Sequence, residues 1–213
     1  WQYYEASCDM EFLSHCGAEV AAEVSRFHES RVFFDLTREQ YVVTDVMGPD
    51  EYHESVDNNA YTNTLIHNAF TKTLRVLELV READPRAHAE LAERIGLGQA
   101  ELDRWREIRD RLFVPGPDPN TGLIEQFDGY LNLEDVSVEE VYRRRITPDE
   151  YLGGIGGIVD RTQVIKQADV VMLLYLLRDQ FSTQVKRANW EYYDPRTEHG
   201  SSLSPMAHAL VAA

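Results

Sequence analysis

The chain has 213 residues, 43% of them hydrophobic, so it is long enough to bury the core of one large domain or two small ones. Its 37 acidic residues outnumber its 21 lysines and arginines and give a formal net charge of −16. A charge of this sign argues against binding to the phosphate backbone of nucleic acid or to an anionic membrane. An anionic ligand would need a local positive site.

The cysteines and the apolar runs indicate the compartment. Cys8 and Cys16 would lie about 12 Å apart along a shared helix, which is too far for a disulfide. No apolar run reaches the roughly 20 residues of a membrane span, and no signal-peptide pattern opens the chain. We therefore expect a cytoplasmic protein. Because the chain begins at Trp1 and stops within an apolar helical pattern, we also expect it to be part of a longer protein.

Residues 10–34 are predicted to form an amphipathic helix. Apolar side chains recur there at spacings of three and four, which is typical of one helical face. The residues of this face are Phe12, Leu13, Cys16, Val20, Val24 and Phe27. The acidic residues of the segment are expected to face water.

Three further helices are predicted before residue 114. The first runs through residues 61–80, with Asp57 or Asn58 as its N-cap, and ends near Pro85. The second covers residues 86–95 and is broken by two glycines. The third covers residues 99–113.

A long connection follows these helices. Three prolines and two glycines between residues 115 and 122 force irregular backbone, and the short apolar run at 123–127 is expected to be extended. Such loops in helical proteins are often functional. GGIGG at 153–157 lacks the GK[ST] ending of a phosphate loop, so a flexible hinge is favoured there.

The last third of the chain is predicted to be helical again. A helix is expected over residues 164–180, with the apolar run VVMLLYLL at its centre. Ser204 is expected to cap a final helix with Pro205 in its first position. The total is five to seven helices with long loops and little strand. This all-α pattern fits an α-toroid, a helical bundle or a helical repeat, although no repeat of fixed period is found.

Residues 48–63, GPDEYHESVDNNAYTN, are the most polar segment between two structured elements. One interpretation is a solvated turn followed by a helix cap. Another is a general acid, because a carboxyl held against rings such as Tyr52 and Tyr61 has a raised pKa and can protonate a leaving oxygen. No H-E-x-x-H pattern follows His53, so no metal site is expected.

Two other segments allow both a structural and a chemical interpretation. Lys166 and Gln167 would either reach solvent and cap a helix or bind sugar hydroxyls. Ser201 and Ser202 precede the last helix, so they would either cap it or form an anion site with its free backbone amides.

Three separated segments together resemble one family. GPDEYHESVDNNAYTN, VIKQADVVMLLYLL and EHGSSLSP occur in this order, and with EQFDGY at 125–130 they resemble glycoside hydrolase family 65, which includes maltose, kojibiose, nigerose and trehalose phosphorylases. The resemblance extends over nearly the whole chain. It implies that residues 1–213 are a single region of an (α/α)6 barrel. The family's N-terminal β-sandwich and remaining barrel helices have no counterpart in these residues, so we expect the chain alone to be inactive.

The resemblance also implies roles for individual residues. Glu51 in DEYH corresponds to the general acid, and Glu54 is the second choice. Lys166 and Gln167 correspond to the pair that hydrogen-bonds the glucosyl residue.

Ser201 and Ser202 correspond to phosphate ligands by the same comparison of motifs. Gly200 stands where many relatives have an aspartate, which weakens the correspondence at that position alone.

The reaction implied by the resemblance is inverting phosphorolysis of an α-glucoside. Phosphate attacks the anomeric carbon and gives β-glucose 1-phosphate and a sugar, so inorganic phosphate is a co-substrate and no other cofactor is expected. The partners would be a disaccharide and phosphate, in a homodimer of the complete protein. Two alternatives stay open: an inverting α-glucoside hydrolase of the same fold, whose catalytic base would lie outside these residues, and a non-catalytic helical binding module.

Overall fold

The structure is a computed structural model that describes residues 1–202 and 204–213. Helices dominate, and one two-stranded antiparallel hairpin is present among these residues. The α-helices are α1 (Gln2–Ser7), α2 (Met10–Phe12), α3 (Ala18–Arg31), α4 (Ala60–Ala83), α5 (Pro85–Ile95), α6 (Gln99–Arg111), α7 (Val138–Arg143), α8 (Val170–Leu176), α9 (Thr183–Tyr193) and α10 (Ser204–Ala212). The strands are β1 (Phe33–Asp35) and β2 (Gln40–Val42). The predicted helical character is confirmed.

The chain divides into two compact units. One unit consists of Trp1–Val42 with Leu65–Phe113, and the other of Val43–Thr64 with Val114–Ala213. Within the described residues, no helix is both long enough and apolar enough to cross a bilayer.

The first unit corrects the expected apolar face of α3. Ala18, Ala22 and Ser25 are fully buried, whereas Val20 and Phe27 remain 60% and 61% exposed. Small side chains allow close backbone approach, and the buried Ser25 hydroxyl donates a hydrogen bond to Thr73 at 2.9 Å. Spacing therefore identified the helix, but the face that it buries is the one with the small residues.

Helices α5 and α6 follow their sequence signals. Asp84 caps α5 by accepting hydrogen bonds from the first backbone N–H groups, and Gly96 ends it in the left-handed region with φ 65°. Trp105 and Ile108 on α6 are fully buried, as their spacing predicts. The helix ends before Phe113 because the Phe113 N–H donates to the Tyr41 carbonyl at 2.8 Å.

In the second unit, buried tyrosines hold the long connection to the helices. Tyr130 and Tyr193 are fully buried beside Leu173 and Leu174 of α8. The Tyr193 hydroxyl donates to the carbonyl of Ile124 at 2.6 Å. The loop that carries Ile124 is thus fixed by side chains rather than by a sheet, and the expected extended run reduces to an isolated bridge at that residue.

The predicted helix over residues 164–180 is largely wrong. Only Val170–Leu176 is α-helical, and the residues before it form an isolated bridge and bends. Ile165 forms a parallel bridge with Thr197, which takes the backbone groups that a helix would need. Lys166 and Gln167 therefore lie in an irregular, bent segment that precedes α8.

The glycine-rich segment GGIGG forms a tight turn against the polar segment. The Gly154 N–H donates to the Tyr52 carbonyl at 3.1 Å. A Cβ on Gly153 would lie 2.5 Å from Cδ1 of Tyr52, so only glycine fits this approach. The phosphate-loop interpretation has no support in this geometry.

Candidate active site

Glu51 lies in a turn whose neighbours are buried. Asp50 and His53 are only 1% and 3% exposed, so the interpretation of this segment as a solvated turn is wrong for them. The Glu51 side chain is 46% exposed and forms an ion pair with the Lys166 ammonium group. The sequence led us to expect a carboxyl group buried against aromatic rings, and for Glu51 that expectation is wrong. Tyr151 donates to the Glu51 carbonyl oxygen at 3.1 Å and fixes the backbone there.

Lys166 and Gln167 reach the same turn from the other side. The hydrogen bond from Lys166 to Glu51 raises the pKa of Lys166, so its ammonium group stays charged. Gln167 Nε2 donates to the Pro49 carbonyl oxygen. Gln167 Oε1 is buried, and within the described part of the chain it has no hydrogen-bond partner. A buried amide oxygen of this kind is costly unless a ligand supplies the donor.

The EHGSS segment runs alongside Lys166. The Glu198 N–H donates to the Ile165 carbonyl at 2.8 Å, and the Gly200 N–H donates to the Lys166 carbonyl at 3.1 Å. These bonds anchor the backbone immediately before Ser201 at the lysine. Glu51 and Lys166 lie more than 100 residues apart along the chain, yet their side chains are in contact. The three motifs thus meet in one place.

Ser201 and Ser202 lead into α10. Ser201 is half-buried and Ser202 is exposed, and Leu203 of the same motif lies outside the described residues. α10 begins at Ser204, one residue earlier than predicted. The Ser204 hydroxyl accepts the Ala168 N–H at 3.1 Å, so it ties α10 to the segment before α8 rather than only capping its own helix.

Glu54 lies differently from Glu51. Its side chain is exposed, at 3.4 Å from the position that a Cβ on Gly154 would occupy. Of the two candidate acids, the structure brings Glu51 to Lys166.

Glu198 is a residue that sequence reasoning did not single out. Its carboxylate accepts hydrogen bonds from the phenols of Tyr52, at 2.7 Å, and Tyr142. Burial and the neighbouring carboxylate raise the pKa of Tyr52, so this phenol stays protonated and donates. The only sequence signal was an acid directly before HGSS, which does not reveal that two tyrosines from distant segments would bind it.

A second buried acid lies beneath the turn. Asp169 is fully buried, and it accepts hydrogen bonds from Asn59 Nδ2 and, at 3.3 Å, from the Asp50 N–H. Burial and the charge of Asp50 raise the pKa of Asp169 to about 7. A Cβ on Gly48 would lie 2.4 Å from Asp169 Oδ2, so this glycine allows the turn to sit on the buried acid.

Asn59 also performs the cap that was expected of Asp57 or Asn58. Its Oδ1 accepts the Thr62 N–H at 2.9 Å at the start of α4. The predicted cap was therefore one or two residues too early, because Asn58 adopts φ 53° and turns its side chain elsewhere.

Three potential metal ligands also come together near α10. One ligand atom from each of Asp194, His199 and His208 lies within 4.8 Å of the others. His208 Nδ1 donates to Asp194 Oδ1 at 2.8 Å, and His199 Nδ1 pairs with the Ser204 hydroxyl at 3.0 Å. Burial lowers the pKa of His208, which favours its neutral form. These contacts anchor α10 beside the EHGSS segment.

Residues 1–213 match the family model described as the glycosyl hydrolase family 65 central catalytic domain. The chain belongs to glycoside hydrolase family 65. The expected family resemblance is thereby confirmed over the full chain.

Relatives within this family carry names of sugar phosphorylases. The chain is 41% identical over 98% of its length to a nigerose phosphorylase from Lachnoclostridium phytofermentans and 41% identical over 100% to a 1,2-α-glucosylglycerol phosphorylase from Bacillus selenitireducens. It is 37% identical over 99% to a kojibiose phosphorylase from Thermoanaerobacter brockii. It covers only 28%, 28% and 27% of these relatives.

A solved structure has a similar fold. The protein, from the human microbiome, is described as a candidate kojibiose phosphorylase and matches with a TM-score of 0.84 at 29% identity. The match covers 99% of this chain and 30% of that one. The chain thus spans less than a third of the length of these relatives.

Proposed function

We propose that this family 65 chain is part of an inverting disaccharide phosphorylase. The enzyme would transfer the glucosyl group of an α-glucoside to inorganic phosphate and release β-glucose 1-phosphate and a sugar. The observation that carries this proposal is the meeting of Glu51, Lys166 and the EHGSS segment, which brings an acid, a cation and a candidate anion site together. The phosphorylase names of several relatives agree with it.

In the proposed mechanism, Lys166 leaves its ion pair with Glu51 to bind the sugar, and the protonated form of Glu51 donates its proton to the glycosidic oxygen. Phosphate attacks the anomeric carbon from the opposite face and is itself the nucleophile. One protein carboxyl group is therefore enough, whereas an inverting hydrolase needs a second carboxylate to activate water. Glu54 remains the second choice for the acid.

Lys166 and Gln167 would bind the glucosyl group. The buried Gln167 Oε1 is an acceptor without a partner in the described residues, and a sugar hydroxyl is a suitable donor for it. Lys166 supplies a charged donor beside the acid.

Ser201 and Ser202 would bind phosphate at the N-terminus of α10. Hydroxyl groups and backbone amides at the positive end of a helix favour an anion. This gives a protein with a net charge of −16 the local site that an anionic substrate requires. Phosphate would act as co-substrate, and no further cofactor is proposed.

We also propose that residues 1–213 belong to a single (α/α)6 barrel domain of a longer protein. The whole-chain match to the central catalytic domain of the family agrees with this assignment. The homodimer expected from the family stays a prediction.

A hydrolase of the same fold is the second candidate because a second carboxylate lies near Lys166. That carboxylate is Glu198, within the chain rather than outside it. However, both of its oxygens accept hydrogen bonds from phenols, which leaves it poorly placed to take a proton from water. The phosphorylase is therefore the better supported function.

The test uses the complete protein encoded by the reading frame that contains these residues. Maltose, kojibiose, nigerose, trehalose and glucosylglycerol are incubated with and without phosphate, and glucose 1-phosphate and free glucose are measured. The proposal predicts phosphate-dependent β-glucose 1-phosphate from at least one glucoside. Release of glucose at the same rate without phosphate would identify the hydrolase, and no reaction in either buffer would favour the binding module.

A further inference from the structure

Asp50 makes an unusually complete set of hydrogen bonds for a side chain that is 1% exposed. Its Oδ1 accepts the N–H of Tyr52 at 3.1 Å and the N–H of Lys166 at 2.9 Å. Its Oδ2 accepts from His53 Nδ1 at 2.6 Å and from Gln126 Nε2 at 3.1 Å. All the acceptor positions of the carboxylate are thereby used.

His53 supplies the countercharge for this buried carboxylate. His53 Nε2 lies 3.1 Å from the carbonyl oxygen of Thr162, which can only accept, so Nε2 carries a proton. His53 Nδ1 faces the Asp50 carboxylate, and a hydrogen bond there needs a second proton between the two groups. The pair is neutral overall whichever group carries that proton, which lowers the desolvation cost of burying it.

The hydrogen bonds of Asp50 connect the backbone next to Glu51 with the backbone of Lys166. Oδ1 of Asp50 holds the backbone on the C-terminal side of Glu51 and, at the same time, the backbone of Lys166. Gln167 closes the arrangement by donating to the Pro49 carbonyl. One carboxylate thus determines where the acid stands relative to the segment that would hold the sugar.

We propose that Asp50, charge-paired with His53, is a positioning residue that sets the distance between the general acid Glu51 and the glucosyl group held by Lys166 and Gln167. This inference rests on the proposed function. Asp50 itself does not touch the reacting atoms. It acts through the two backbone segments that it joins.

The test compares two glucosyl donors that differ in their need for an acid. A disaccharide requires protonation of its leaving oxygen, whereas α-glucosyl fluoride loses fluoride without it. Displacement of a catalytic group by about 1 Å costs about 100-fold in rate. Asp50→Asn should therefore lower kcat for the disaccharide by about 100-fold. In the same phosphate buffer it should lower kcat for the fluoride by at most about 10-fold.

Asp57→Asn is the matched control. The exposed Asp57 accepts the Asp45 N–H at 3.0 Å in the same polar segment, and asparagine keeps that acceptor. In the Asp57→Asn variant, the ratio of disaccharide turnover to fluoride turnover should equal that of the wild type. A defect in folding lowers both activities of a variant equally, so equal losses in Asp50→Asn would overturn the positioning role.

A second variant covers the case in which Asp50→Asn does not fold. His53→Asn keeps a donor toward Asp50 but removes the charge, and the ratio should fall by about 3-fold or more, in the range of one weakened hydrogen bond. An unchanged ratio in folded His53→Asn would overturn the proposal. If the wild-type protein converts neither donor with phosphate, the proposed function fails, and the role of Asp50 fails with it.

Discussion

At the scale of single residues, the candidate site depends on polar atoms whose partners come from distant segments. Gln167 is the clearest case because its amide is half satisfied: Nε2 donates to Pro49, while Oε1 is buried without a partner in the described residues. An unpaired buried acceptor costs about 1–3 kcal/mol, which a bound hydroxyl would recover.

Gln167→Leu tests this interpretation. Leucine removes the free acceptor, so the KM for the disaccharide should rise about 10-fold, which corresponds to about 1.4 kcal/mol of lost binding. The thermal midpoint of the unliganded protein should change little, since a lost donor and a removed orphan oxygen offset one another. Gln180→Leu, at an exposed position, serves as the control for both measurements. A KM that stays at the wild-type value in Gln167→Leu would exclude Gln167 from sugar binding.

Some residues of the candidate site could be identified from the sequence, and others could not. Glu51 and Lys166 were identified by motif, and the structure brings them into contact. Asp169 and Glu198 were missed because an acid that opens an apolar run or stands before HGSS has no local signature. Their roles depend on Asn59, Tyr52 and other partners that become neighbours only in the folded chain.

At the scale of elements, glycine allows two segments to approach closely. Gly153 lies against the turn that carries Glu51, and a Cβ there would meet both Cδ1 of Tyr52 at 2.5 Å and its Cα at 2.9 Å. The second contact is to backbone, which cannot rotate away as the end of a flexible side chain can.

Gly153→Ala should therefore destabilise the protein by about 1–3 kcal/mol, the usual cost of overpacking. The matched control is Gly116→Ala, because a Cβ on Gly116 would meet nothing within 4 Å. That change should alter the free energy of unfolding by less than about 1 kcal/mol. Equal midpoints of chemical denaturation for the two variants would show that the segment does not pack on Tyr52.

Element prediction succeeded where local signals decide the structure. Helix α5 has an aspartate cap and a terminal glycine, and α6 has regularly spaced apolar residues; the predicted bounds of both agree with the structure within two residues. The helix predicted over residues 164–180 failed because Ile165 pairs with Thr197, 32 residues away, and such pairing overrides local preference.

At the scale of the whole molecule, the buried acid Asp169 makes stability depend on pH. The pKa of Asp169 is raised from 3.8 to about 7, so the folded protein keeps a proton that the unfolded chain releases. Stability falls with rising pH wherever the folded state binds more protons. The contribution of Asp169 is therefore fully present below about pH 4 and is lost as the pH rises to about 7.

Asp169→Asn should remove this dependence, since asparagine resembles the protonated acid. The thermal midpoint of the variant minus that of the wild type should increase from pH 4 to pH 7 and then level off. Taking the difference cancels the contributions of the other titrating groups. Asp57→Asn, at an exposed position, should show no such trend. A constant difference for Asp169→Asn across this range would mean that Asp169 is ionised in the folded protein.

The most direct test of the account is the response of Glu51→Gln in the complete protein to the leaving group. General acid catalysis contributes about 10²- to 10⁴-fold, so the variant should lose that much phosphate-dependent turnover of its disaccharide. Because fluoride leaves without a proton, the same variant should keep most of its turnover of α-glucosyl fluoride. Equal losses on both donors, or the predicted pattern in Glu54→Gln instead, would contradict the assignment of Glu51 as the acid.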